Sequence, residues 1–90
     1  MRPENVHIVP MHYVYLIESL SARDQHYVGV THDLKLRLAQ HNNGESIYTA
    51  EFGPWRLITY VAFSSQRQAE AFEIYLKSGS GHAFARKHLW

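Results

Sequence analysis

Arg37 and His41 stand four residues apart in DLKLRLAQHN, residues 33–42, with Leu34 and Leu38 completing an i, i+3, i+4, i+7 pattern. At helical spacing all four share one face. A guanidinium and an imidazole bordering an apolar face end up partly buried, and a buried charge needs a partner. The guanidinium fork matches an internal carboxylate or an incoming phosphate bidentately, and residue chemistry alone favours the internal salt bridge. Glu73 poses a similar problem. At 100° per residue it lies beside the stripe of Ala69, Phe72 and Leu76, while Glu70 and Lys77 lie further round and are easily solvated. A carboxylate at a core edge pairs with an arginine, sits protonated or binds a divalent cation, pairing being the commonest of the three. Tyr13, Tyr15 and Tyr27 have the spacing of strand residues, where packing is the usual role of tyrosine.

These side chains need elements to hold them. Tyr13–Ser19 and His26–Thr31 read as strands rich in aromatic and β-branched residues, joined by a turn over Ser21–Gln25 that favours an antiparallel hairpin. Thr31 or Asp33 caps a first helix, which Asn42-Asn43-Gly44 ends. Residues 46–54 read as a loop and Trp55–Phe63 as a third strand, with Trp55 in the core rather than stacking on a base. Ser65-Gln66-Arg67-Gln68 resembles a capping box opening a second helix through Lys77. The glycines of SGSG, residues 78–81, break that helix, and a short third one follows from His82 to Leu89. The order is ββαβαα, an α+β arrangement. Residues 1–11, with Pro3 and Pro10, read as a flexible leader before a single domain over 12–90.

Ninety residues, 46% apolar and 19% charged, fit one small globular domain rather than a disordered chain. The absence of cysteine excludes disulfides, thiolate zinc sites and cysteine nucleophiles. No apolar run is long enough to span a bilayer and no signal-peptide core opens the chain, so the expected location is cytoplasmic. A net charge of +1 announces no nucleic-acid binder by itself. The placement of the bases is more informative. Lys77, His82, Arg86, Lys87 and His88 crowd the end of the sequence, and Lys35 joins Arg37 and His41, a clustering that suits a phosphate-facing surface or a solvated one. His7, His12, His26 and His32 make no metal-ligand spacing on one helix and read as surface residues.

YVY at 13–15, YVG at 27–29, DLKLRLAQHN at 33–42 and AEAFEIYLK at 69–77 resemble, in order and spacing, the GIY-YIG nuclease family in its compact single-domain bacterial branch. The tail YLKSGSGHAFARKHL, 75–89, looks like that branch too, and the resemblance covers residues 12–88. It implies a small three-stranded antiparallel sheet flanked by helices. It also implies a catalytic set of Tyr15, Tyr27, Arg37, His41 and Glu73, with Glu73 as the metal-binding carboxylate. Tyr13-Val14 stands where the family usually has Gly-Ile, and no asparagine follows Glu73, as one does in some relatives.

The implied activity is hydrolysis of DNA phosphodiester bonds with Mg²⁺ or Mn²⁺, and no small-molecule cofactor or membrane is involved. Glu73 would anchor the metal, Arg37 would hold a non-bridging phosphate oxygen, and His41 would donate to phosphate or orient the base. Tyr15 is the better candidate for activating water, with Tyr27 hydrogen-bonding beside it. An ordinary phenol is only about 0.1% ionised at pH 7, so nearby positive charge would have to lower its pKa. Gly29 suits a close backbone approach or a bulge and receives no chemistry. Lys35, Lys77, Arg86 and Lys87 would track the DNA backbone, and Trp90 is a candidate for stacking on a base. So small a footprint suits structure- or single-strand-selective cleavage, in repair, recombination or DNA processing, better than sequence specificity. A non-catalytic nucleic-acid-binding module and a protein-interaction domain are the competing readings.

Overall fold

A computed structural model describes residues 7–90 of the protein. The sheet has three antiparallel strands in the order β2-β1-β3: β1 (His12–Ser19), β2 (His26–Thr31) and β3 (Trp55–Phe63). Of the expected leader, residues 1–6 lie outside the described part, and residues 7–11 precede β1 without regular structure. β1 is the central strand, which is why Val14 to Ile17 are buried without a polar interruption. Its alternation still matters. Val14 and Leu16 face Ala69, Leu76 and Ala85 on one side of the sheet, whereas Tyr15 and Ile17 pack with Trp55, Leu34 and Leu38 on the other. A register irregularity between Leu16 and Ile17 in the pairing with β3 places Ile17 opposite Leu57.

Three helices cover the sheet, α1 (Leu34–Asn42), α2 (Gln66–Leu76) and α3 (Gly79–His88). Each is opened by a side-chain cap. Asp33 Oδ1 accepts from the Leu36 N–H, Ser65 Oγ from the Gln68 N–H, and Ser78 Oγ from the Gly81 N–H. Such caps contribute about 1 kcal/mol apiece. Gly44, at φ 73°, turns the chain out of α1.

Two expectations need correction. Only Lys77 and Ser78 interrupt the helical path, and α3 begins at Gly79 instead of His82. Ser78 starts the new helix by capping it. At Gly81 a Cβ would fall on the Tyr75 carbonyl, so glycine there allows α3 to start hard against the end of α2. Residues 46–54 are also more ordered than a loop. They contain a 3₁₀ turn at Ala50–Phe52, and side chains pin their C-terminal end. Ser19 Oγ donates to the Phe52 carbonyl at 2.6 Å. The Asn42 side chain clamps both the N–H and the carbonyl of Trp55, at 2.6 and 3.1 Å.

Candidate active site

Tyr15 points from the central strand toward α1. Its cross-strand neighbour is Gly29 on β2, and the ring lies over that glycine. A Cβ at position 29 would overlap the Tyr15 hydroxyl and sit 2.5 Å from its Cζ, so the close approach expected of Gly29 is to the tyrosine itself. The hydroxyl then meets α1. It lies 2.8 Å from His41 Nε2 and accepts from Arg37 Nε–H at 3.3 Å. Arg37 and His41 reach it together because they share the helix face that Leu34 and Leu38 seat against the sheet.

His41 is 1% exposed, and both ring nitrogens are engaged. Nδ1 lies 2.6 Å from Thr49 Oγ1. Thr49 is itself fully buried, and its carbonyl accepts from Trp55 Nε1–H at 2.8 Å. No ring nitrogen is therefore left to donate to a phosphate. Burial, and secondarily the Arg37 charge, lower the His41 pKa to about 4. The imidazole is neutral at pH 7 and carries one N–H. Protonated on Nδ1, it donates to Thr49 and accepts the Tyr15 proton. Protonated on Nε2, it donates to Tyr15 and accepts from the Thr49 hydroxyl. In the second state a Tyr15 phenolate would receive two N–H donors, from Arg37 and His41.

Burial raises the pKa of Tyr15 and outweighs Arg37, which lowers it through its hydrogen bond and its charge. The nearby Tyr27 and Glu73 also oppose ionisation. Positive charge is thus present beside the phenol, as its chemistry requires, but at rest the hydroxyl stays neutral.

Arg37 has no carboxylate partner among the described residues. The internal salt bridge favoured by residue chemistry is replaced by Tyr15 and by Gln40, whose Oε1 accepts from Nη1 at 3.0 Å. That leaves most of the five guanidinium N–H donors for another acceptor.

Tyr27 joins through its ring, whose centroid lies 5.2 Å from that of His41 and 6.4 Å from that of Tyr15. No hydrogen bond links the two tyrosine hydroxyls among the described residues. Glu73, on α2, accepts from Lys77 Nζ at 2.8 Å. Lys77 also lies 5.6 Å from the centre of the Tyr27 ring. It is half exposed, as its place at the end of α2 leads one to expect, and still reaches both Glu73 and Tyr27. Lys35 and Lys87 are exposed on α1 and α3, without described contacts to this cluster, and Arg86 is exposed on α3. Tyr13 turns away and packs edge-on against Tyr60, with centroids 5.5 Å apart.

Among the described residues no three His, Asp or Glu side chains come close enough to cage a metal ion. Glu73, with its side chain 23% exposed, is the carboxylate left to anchor one. That donor set fits a hydrated Mg²⁺, which keeps several waters and takes further oxygens from a phosphate substrate. Thr49 is the side chain that sequence reasoning missed, while Lys77 was expected only along the DNA backbone. Nothing marks Thr49 in a segment read as loop. Lys77 stands four residues after Glu73, a spacing that does foretell the ion pair.

Tyr27 thus stands on an edge strand, Tyr15 on the central strand, Arg37 and His41 on the first helix and Glu73 on the second. The family model described as the GIY-YIG catalytic domain matches residues 11–86, and the chain belongs to that family. It is similar to a UPF0213 protein of Clostridium perfringens, with 38% identity over 69 residues covering 74% of this chain and 71% of the relative. It is also similar to the structure-specific endonuclease subunit SLX1 of Candida dubliniensis. There the identity is 35% over 92 residues, covering 93% of this chain but only 31% of that subunit. The solution NMR structure of a UPF0213 protein from Bacillus halodurans superposes with a TM-score of 0.51 at 31% identity, covering 86% of this chain and 83% of that one.

Proposed function

We propose that this protein is a divalent-metal-dependent DNA endonuclease, cytoplasmic and selective for branched or single-stranded DNA rather than for sequence, which serves repair, recombination or DNA processing. The observation that carries this reading is the Tyr15 hydroxyl, held between Arg37 and His41. Membership of a nuclease family and the similarity to one subunit of a structure-specific endonuclease support it.

In this reading Tyr15 first loses its own proton to solvent, and the phenolate then takes a proton from the attacking water. Arg37 keeps one N–H on the phenolic oxygen and turns others to a non-bridging phosphate oxygen, where charge grows in the transition state. His41 is a positioning residue, and its Nε2–H tautomer, stabilised by Thr49, gives the phenolate its second donor. A divalent cation anchored by Glu73 would supply Lewis-acid stabilisation of the phosphate and the leaving oxygen. Lys77 holds that carboxylate in place. The lysine's own charge also favours a polyanion at this edge.

Labelled single-stranded, duplex and branched DNA, incubated with and without Mg²⁺ or Mn²⁺, tests the proposal. Metal-dependent cleavage is expected, with single-stranded or branched substrates preferred. Binding without cleavage on every substrate selects the non-catalytic module instead.

A further inference from the structure

Beyond Tyr27 and Lys77 lies a feature that the cleavage chemistry does not use. β2, the end of α2, α3 and Trp90 enclose an open pocket of about 340 Å³. Its apolar floor is Val28, Leu76 and Ala85. One wall is an aromatic pair, in which His26 and Trp90 stack with centroids 4.1 Å apart and planes 15° from parallel. Glu18 holds the histidine from behind, 3.4 Å from its Nε2, so the platform is braced within the protein. The rim carries Lys77, His82 and Arg86, and no carboxylate lines the pocket.

We propose that this pocket is a subsite for one unpaired nucleotide of the strand being cut, which rests on the reading of the protein as a DNA nuclease. The base lies against the Trp90–His26 platform and the apolar floor, and an adjoining phosphate faces the cationic rim. The size is at the small end of ligand sites, about 300–1,000 Å³, and suits a single nucleotide. A base stacked in a duplex shows only its edge, so it must leave the stack before its face can meet Trp90. Tyr27 and Lys77 border both the pocket and the candidate active site, which places the bound nucleotide beside the scissile phosphate. Selectivity for unpaired strands then arises next to the chemistry, without a second DNA-binding domain.

The test uses the full chain in EDTA, so that nothing is cut, with thymidine 5′-monophosphate, fluorescein-labelled d(T)8 and a blunt duplex as probes. Trp55 is buried, which leaves Trp90 as the responsive fluorophore. The mononucleotide and d(T)8 should quench Trp90, and the duplex should not. Trp90→Ala should weaken d(T)8 binding by about 5- to 150-fold, the range of base–aromatic stacking, and Trp90→Phe should recover much of it. Arg86→Ala, at an exposed position, should weaken the mononucleotide without disturbing the fold. It serves as the second variant if Trp90→Ala fails to fold. Wild-type binding of d(T)8 with no Trp90 response, or equal quenching by the duplex, would overturn the subsite. Cleavage in Mg²⁺ by a protein whose Trp90→Ala variant binds d(T)8 normally overturns it as well. A Trp90 response in a protein that cuts nothing in Mg²⁺ upholds the subsite and removes only the nuclease reading.

Discussion

In the proposed mechanism Tyr15 is under opposing demands, since it must be buried to be held, neutral at rest and ionised when water attacks. Burial raises its pKa while Arg37 pulls it down, so the ionised fraction at neutral pH stays small. Single-turnover cleavage should therefore climb about tenfold per pH unit from pH 6 to 9, the slope of one ionisation, with no plateau in that window. A flat profile would assign the proton transfer to another group. The histidine beneath makes a separate, structural prediction. The folded protein holds the His41 pKa at about 4, below the 6.5 of an unfolded chain. Between those values the unfolded state binds the proton more readily. Stability from this group is thus complete above pH 6.5 and lost as the pH falls toward 4, by about 3 kcal/mol for a shift of this size. Urea unfolding of wild type and His41→Gln at pH 7 and pH 4.5 checks it. The variant should start lower, having lost two buried hydrogen bonds, yet decline less on acidification. Parallel declines would mean that His41 does not titrate as described.

At the scale of elements, β1 and β2 are a paired device rather than a mere hairpin. Gly29 leaves open the space into which the Tyr15 ring folds, and α1 closes over that ring with two polar side chains. Gly29→Ala should displace the hydroxyl from Arg37 and His41 and reduce cleavage at least tenfold, the expectation for a shifted catalytic group. Its far-UV circular dichroism should stay native, since a β-strand accommodates alanine. Full activity in that variant would show that the ring can move without cost. The strands and the face of α1 were legible because residue alternation and i, i+3, i+4 spacing depend only on local sequence. The start of α3 was not. Ser78 reads equally as a breaker and as a cap, and the close packing of Gly81 on Tyr75 depends on where α2 ends in space. The order in residues 46–54 was illegible for the same reason, because Asn42, Ser19 and Trp55 supply it from elsewhere in the chain. Thr49 is a buried hydroxyl whose role exists only once His41 lies opposite.

For the molecule as a whole, one sheet divides the labour. Its α2–α3 face supplies the larger apolar core and Glu73, and its α1 face supplies Tyr15, Arg37 and His41. The two meet around the exposed edge at β2, where Tyr27 and Lys77 stand. The proposed catalytic groups thus come from opposite layers of a chain of only 90 residues. The central claim, that this convergence makes the Tyr15 hydroxyl the base, is tested most directly by one comparison. Single-turnover cleavage of labelled single-stranded DNA in Mg²⁺ is measured for wild type and for Tyr15→Phe, with the melting temperature recorded for both. The phenylalanine keeps the ring over Gly29 and deletes only the hydroxyl. The prediction is a loss of about 10²–10⁴-fold in rate with the fold retained. Cleavage by Tyr15→Phe at close to the wild-type rate would contradict the account.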